Sequence, residues 1–202
     1  MKRAVEKGII DYRILNFRDF AEGVHQKADD IPFGGGAGMV IMPEPLSKAL
    51  DSIDAKNKRV IFPTPSGKIF NQEYAKELSK ENELVFICGH YEGIDERVIE
   101  LCIDEQISIG DYVLTGGELP AMVLVDTILR YVPKVLHSDT SVVDESFSDN
   151  LLEYPQYTRP REFMGLSVPE VLLNGNHKEI EKWKREKQIE ETKKYRPDLL
   201  DR

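Results

Sequence analysis

The residues best suited to chemistry in this chain lie between positions 109 and 126, IGDYVLTGGELPAMVLVD. Ile109 leads into two glycine turns, Gly110-Asp111 and Thr115-Gly116-Gly117. They flank the apolar run Tyr112-Val113-Leu114, which reads as a short buried strand. Glycines on both sides of a strand let the backbone approach a ligand closely. A helix is predicted directly afterwards, with Glu118, Leu119 and Pro120 in its first turn and apolar residues over 121–129. An acid and a proline suit the positive end and the fixed geometry of a first helical turn. Open α/β sheets bind ligands at strand–turn–helix junctions of this kind.

Three further segments carry candidate groups. Residues 29–39 are a glycine-rich loop after an acidic pair, running from Asp29-Asp30 through Gly34-Gly35-Gly36 to Gly38-Met39. The lysine of a phosphate-binding P-loop is absent from it. Phe62-Pro63-Thr64-Pro65-Ser66-Gly67 reads as a strand end and a proline-stiffened turn that can wall an adenine ring. In residues 88–98, Gly89 permits close approach to a ligand, and the Glu92 carboxylate can accept hydrogen bonds from an ammonium. Plainer roles exist for each segment. His90 and Tyr91 suit an ordinary turn, Glu92, Asp95 and Glu96 suit a helix N-terminus, and Arg97 can pair with Glu100.

These groups need elements to hold them. Residues 9–15, 59–62 and 84–88 read as strands, and the last two are nearly continuous apolar runs. Between them Leu46, Leu50 and Ile53 fall at helical spacing, and residues 71–81 and 92–105 read as helices. The alternation predicts a parallel α/β sheet over residues 1–135. Residues 136–150 are polar, rich in Ser and Asp, and predict a linker. Residues 151–202 predict a small helical domain. Its helix starts are read at Ser167-Val168-Pro169-Glu170, with capping-box spacing, and at Asn176-His177-Lys178-Glu179, with Ile180 and Trp183 as the apolar contacts.

Composition narrows the function classes. At 41% hydrophobic and 31% charged, the 202 residues describe an ordinary globular protein. No apolar run approaches membrane-spanning length and MKRAVEKG has no signal-peptide core, which predicts a cytoplasmic protein without a membrane partner. Cys88 and Cys102 have no metal-ligand spacing and read as reduced thiols. A net charge of −9 argues against nucleic-acid binding overall. Residues 178–196 oppose this locally with eight Lys and Arg, although the five glutamates among them also suit a solvated helix face.

Taken together, the glycine loops of residues 29–39, 62–67, 88–98 and 109–117, in this order, resemble those of the bacterial tRNA (guanine-N1)-methyltransferases, the TrmD branch of the knotted SPOUT methyltransferases. The resemblance runs from Arg3 to about Leu200. It implies a deep trefoil knot gripping S-adenosyl-L-methionine. The implied contacts are Phe62, Pro63, Thr64, Pro65, Gly89, Glu92, Ile109, Gly110, Asp111, Tyr112, Val113, Leu114, Gly116 and Gly117. Asp29 and Gly38 of the glycine-rich loop are implied to meet the guanine. The family acts as a homodimer on tRNA, N1-methylating the guanine immediately 3′ of the anticodon. Magnesium dependence is a further family expectation, with no metal-ligand cluster visible in the sequence.

Guanine N1 is a poor nucleophile until its proton leaves, so the reaction needs a base near N1 and a cation or donor near the oxygen. Arg130 matches the family arginine that serves the oxygen. The family's base is an aspartate in the context Glu-Asp-Ser-Phe. Here the order is Asp144-Glu145-Ser146-Phe147, so Glu145 occupies the matching position and Asp144 is the alternative after a one-residue shift. The match begins inside the family's first helix region, which implies that the family's opening strand is missing. Two rivals remain: the same fold with another RNA target, and a protein that binds cofactor or tRNA without turnover.

Overall fold

The computed structural model describes residues 1–136 and 145–201. The chain divides into two compact units, Met1–Val135 and Leu136–Arg202.

The first unit is a mixed α/β structure. Its elements are α1 (Lys2–Glu6), β1 (Asp29–Asp30), β2 (Val40–Ile41), α2 (Pro43–Asp51), β3 (Arg59–Ile69), α3 (Gln72–Leu78), β4 (Leu84–Phe86), α4 (Glu96–Cys102), β5 (Glu105–Ser108) and α5 (Glu118–Leu129). β3, β4 and β5 form a parallel sheet in the order β4-β3-β5. Parallel strands are buried on both faces, and the apolar run of β3 divides accordingly. Val60 and Phe62 pack with Leu46 and Leu50 of α2 and Val98 of α4. Ile61 packs on the other face with Tyr74 and Leu78 of α3 and Leu124 and Ile128 of α5. Because β4 and β5 flank β3, the chain switches sides of β3 after β4. Ligand crevices form outside the C-terminal strand ends at such a switch.

Local signals set the helix starts. Pro43 and Pro45 fit the first turn of α2, where a missing N–H is harmless. Asn71 caps α3 by accepting from the Tyr74 amide at 2.9 Å. Asp95 caps α4 by accepting from the Arg97 amide at 3.0 Å and also takes the Arg97 guanidinium in two 2.8 Å bonds. Arg97 is therefore paired with Asp95 and not with Glu100. At the opposite end of the sheet, Arg59 bonds Glu77, Glu81 and Glu105 and ties β3 to α3 and β5.

Four readings of the sequence need correction. Residues 9–15 form no strand. They have no ladder partner among the described residues, and Ile14 and Tyr12 stand exposed. Residues 112–114 are also not a strand. The strand lies just before them as β5, hidden by the polar start Glu105-Gln106. Accordingly α4 stops at Cys102, short of residue 105, because Asp104 joins the sheet: its amide donates to the Val60 carbonyl at 3.0 Å and its carboxylate accepts from the Val60 amide at 2.7 Å. Finally, residues 167–170 form no capping box. Leu166–Ser167 is β7, paired in an antiparallel hairpin with β6 (Glu162–Phe163), and a 3-10 turn follows at Glu170–Leu172.

The second unit is built around α6 (His177–Tyr195). Trp183 meets the rings of Tyr154 and Tyr157 at 6.4 and 6.2 Å between centroids. Thr192, fully buried, accepts from the Leu152 amide at 2.8 Å, and the Arg196 guanidinium lies 5.8 Å from the Phe147 ring. Within α6 the charges largely pair, as Lys184 with Glu181 and Lys187 with Glu190. The helix starts where the sequence indicates, but without the expected cap. Asn176 makes no side-chain cap bond, and Glu179 instead accepts from Asn174 at 3.1 Å.

This contrast is measurable. Asn71→Ala should lower stability by about 1 kcal/mol in urea unfolding. Asn176→Ala, which removes no cap bond, should stay within about 0.5 kcal/mol of the parent.

Candidate functional site

An excursion within β3 and the loops after β4 and β5 line one cleft of about 260 Å³. Phe62, Pro63, Thr64 and Pro65 come from β3. Both Pro63 and Lys68 register with Ile107 of β5, so residues 64–67 bulge out of the ladder toward solvent. The proline-stiffened turn is thus an excursion inside a longer strand. Gly67 closes it: a Cβ there would lie 2.4 Å from the Gln106 and Ile107 backbone.

The loop after β4 supplies Gly89 and Glu92, and the loop after β5 supplies Ile109, Gly110, Tyr112, Val113, Leu114, Gly116 and Gly117. The two loops are joined through backbone. The Gly117 amide donates to the Gly89 carbonyl at 2.8 Å, and His90 bridges Gly116 in antiparallel fashion. A Cβ on Gly117 would lie 2.7 Å from Cys88 Cα and the Gly89 nitrogen. Gly117 has ordinary helical angles, φ −81° and ψ −8°, so it is glycine for space and not for conformation. Tyr112 and Val113 stand more than half exposed at this rim, and Leu114 somewhat less.

The loop after β4 is also fastened to the glycine-rich loop. The Glu92 amide donates to the Met39 carbonyl at 3.1 Å and the Ile41 amide to the Gly93 carbonyl at 3.0 Å. Gly38 lies so close to Glu92 that a Cβ would fall 2.4 Å from its Oε1. Asp29 begins this loop in β1, and its carboxylate takes the Arg18 guanidinium at 3.1 Å. The candidate substrate loop and the Glu92 side of the cleft are therefore contiguous.

Several expected residues lie elsewhere. Asp111 is exposed and does not line the cleft. Arg130 caps the C-terminus of α5, about 18 Å of helix rise from its N-terminus at Glu118. Glu145 belongs to the second unit and is half-buried. Asp144 lies outside the described residues. The structure adds lining residues that sequence reasoning passed over, notably His90, Tyr91, Ser108 and Thr115. Their signal was position alone, between or beside the glycines. Burial raises the Cys88 thiol pKa and the Glu118 carboxylate adds to this, which disfavours a thiolate. Among the described residues no group of three His, Cys, Asp or Glu converges as a metal site.

Such a cleft suits a ligand held by backbone, with a flat apolar part and a cationic part. The family profile described as tRNA (Guanine-1)-methyltransferase TrmD matches residues 1–202. The chain belongs to this family. A TrmD relative in Clostridioides difficile, a tRNA (guanine-N(1)-)-methyltransferase, is 57% identical over 98% of this chain and 88% of its own. Relatives of the same name in Treponema denticola and Geotalea uraniireducens are 58% and 56% identical, covering 100% and 99% of this chain and 83% and 82% of theirs. A TrmD methyltransferase implies S-adenosyl-methionine as methyl donor. The cleft fits it: Gly89, Gly116 and Gly117 leave the backbone bare, Tyr112, Leu114 and Pro63 offer apolar walls, and the exposed Glu92 carboxylate offers a counter-charge.

The tight Gly117 contact gives a direct prediction. Gly117→Ala should destabilise the protein by about 1–3 kcal/mol in urea unfolding, because backbone on the far side must move to admit the methyl. An unchanged midpoint would show that the two loops part freely.

Proposed function

We propose that this chain transfers a methyl group from S-adenosyl-methionine to N1 of the guanine immediately 3′ of the anticodon in tRNA. The supporting observation is one cleft, lined by the β3 excursion and by the glycine-bearing loops after β4 and β5, in a chain of the TrmD family. In this reading the stretch from 109 to 117 is threaded against the loop after β4 as part of a trefoil knot. The Gly117–Gly89 hydrogen bond joins these two loops at 2.8 Å. The protein would work where tRNA is modified, in the cytoplasm.

The donor supplies an electrophilic methyl on a sulfonium. The chain's own residues do the rest. Phe62, Pro63, Thr64, Pro65 and the residues of 109–114 hold the cofactor, Asp111 from outside the cleft wall, and Glu92 faces its ammonium. Asp29 and Gly38 lie on the loop that reads the guanine. Glu145 takes the N1 proton, since a carboxylate suffices once the ring is held in place. Arg130 donates to the guanine oxygen where negative charge grows.

Arg130 and the cleft sit at opposite ends of α5 within one chain, so this division of labour calls for a second copy. Leu119, Met122 and Val123 form an exposed apolar stripe along α5. If two copies pack these stripes antiparallel about a two-fold axis, Arg130 of each approaches the other's cleft. Burying an apolar face of this kind is a usual basis for homodimers.

Two measurements test the proposal. Glu145→Gln should slow single-turnover methylation by about 10²–10⁴-fold, with Asp144→Asn near the parent rate. The reverse order would move the base to Asp144, and loss in neither would remove the base from this segment. Arg130→Ala and Gly117→Val chains should each be inactive alone yet recover activity when mixed, because one composite site per mixed dimer is intact. Failure to recover activity, with light scattering showing mixed dimers, would refute a shared site.

A further inference from the structure

The two loops of the cleft are joined by one side-chain pair that the proposed chemistry does not use. His90 lies in the loop after β4, Glu118 opens α5, and His90 Nε2 stands 2.5 Å from Glu118 Oε1. The pair sits over Gly116. A Cβ on that glycine would fall 2.6 Å from Glu118 Oε2 and 2.8 Å from His90 Cε1. Beneath it run the His90–Gly116 bridge and the Gly117–Gly89 hydrogen bond. Burial works against charge on Glu118, yet its bond to His90 holds the carboxyl below the ordinary carboxylate range. His90 lines the cleft and Glu118 does not.

The geometry points to His90 and Glu118 as a positioning pair that fixes Gly116 and the loop after β4 at the spacing S-adenosyl-methionine requires, and so sets cofactor affinity. This rests on the reading of the cleft as the cofactor site. The pair touches no reacting atom. Its side chains are 46% and 55% exposed, so it adds little to global stability. What it removes is loop freedom that binding would otherwise have to freeze. Pre-ordering of this kind appears as affinity.

The test is calorimetry of the full chain with S-adenosyl-methionine, paired with thermal melting. Glu118→Leu keeps the size of the side chain without its polar atoms, and Glu118→Gln keeps a hydrogen-bonding partner for His90. His90→Ala and Glu118→Leu should each weaken binding by about 10-fold, with melting little changed. The double variant should be no more than about threefold weaker than either single one, because both remove the same bond. Glu118→Gln should stay within about threefold of the parent. The inference is overturned by unchanged affinity in the single variants, by losses that multiply in the double, or by Glu118→Gln binding as weakly as Glu118→Leu. If His90→Ala does not fold, the contrast between the two Glu118 variants decides. A parent chain that binds no S-adenosyl-methionine would overturn the functional reading and this inference with it. A parent that binds beside variants that bind equally would overturn the inference alone.

Discussion

The site depends on one backbone contact, the hydrogen bond from the Gly117 amide to the Gly89 carbonyl, made where no Cβ fits. It fixes the loop after β5 against the loop after β4. The loop after β4 is in turn fixed to the β2 side by the bonds at Met39 and Ile41. α5 starts at the same contact, with Gly117 as its N-cap, and carries the core residues Leu124 and Ile128 into the face of the sheet. The cleft is thus continuous with the hydrophobic core, so its geometry inherits the rigidity of close packing. Sites supported in this way stay closer to working geometry than sites on loops alone.

The chain uses glycine in two physically different ways here. In the loop between β1 and β2, Gly34, Gly35 and Gly36 take positive φ, and a methyl at any of them would meet nothing within 4 Å, so glycine there serves backbone conformation. At Gly117 the conformation is ordinary and only space is scarce. A sequence shows both as the same letter. This is why residues 109–117 could be marked as a ligand loop while the partner of Gly117 across the cleft could not be named.

Much of the α/β pattern was legible. The apolar runs at β3 and β4 and the spacing of Leu46 and Leu50 mark a sheet covered on both faces. The helix read from 71 opens there, capped by Asn71, whereas α4 starts at Glu96 behind the Asp95 cap and not at residue 92. The misreadings have a common cause. β5 begins with Glu105 and Gln106 and forms through long-range pairing with β3, a contribution no local window contains. Tyr112, Val113 and Leu114 look like core because they are apolar, yet they border the cleft. Residues 9–15 look like a strand by composition but have no ladder partner among the described residues, and a strand without a ladder has no reason to form. In the candidate site, Gly89, Gly116 and Gly117, named by the resemblance, line the cleft, while the strand read between Gly110 and Gly116 lies before both as β5. His90 and Glu118, 28 positions apart, meet only through the fold.

The cleft is built by the fold before any ligand arrives. Amide hydrogen exchange at Gly117, followed by NMR in the absence of S-adenosyl-methionine, tests it most directly. This amide, bonded to Gly89 and buried beside Cys88, should exchange as slowly as the core amides of β3 and be little slowed further by cofactor. Fast exchange without cofactor, with protection appearing only on its addition, would contradict it and show that the two loops assemble around the ligand.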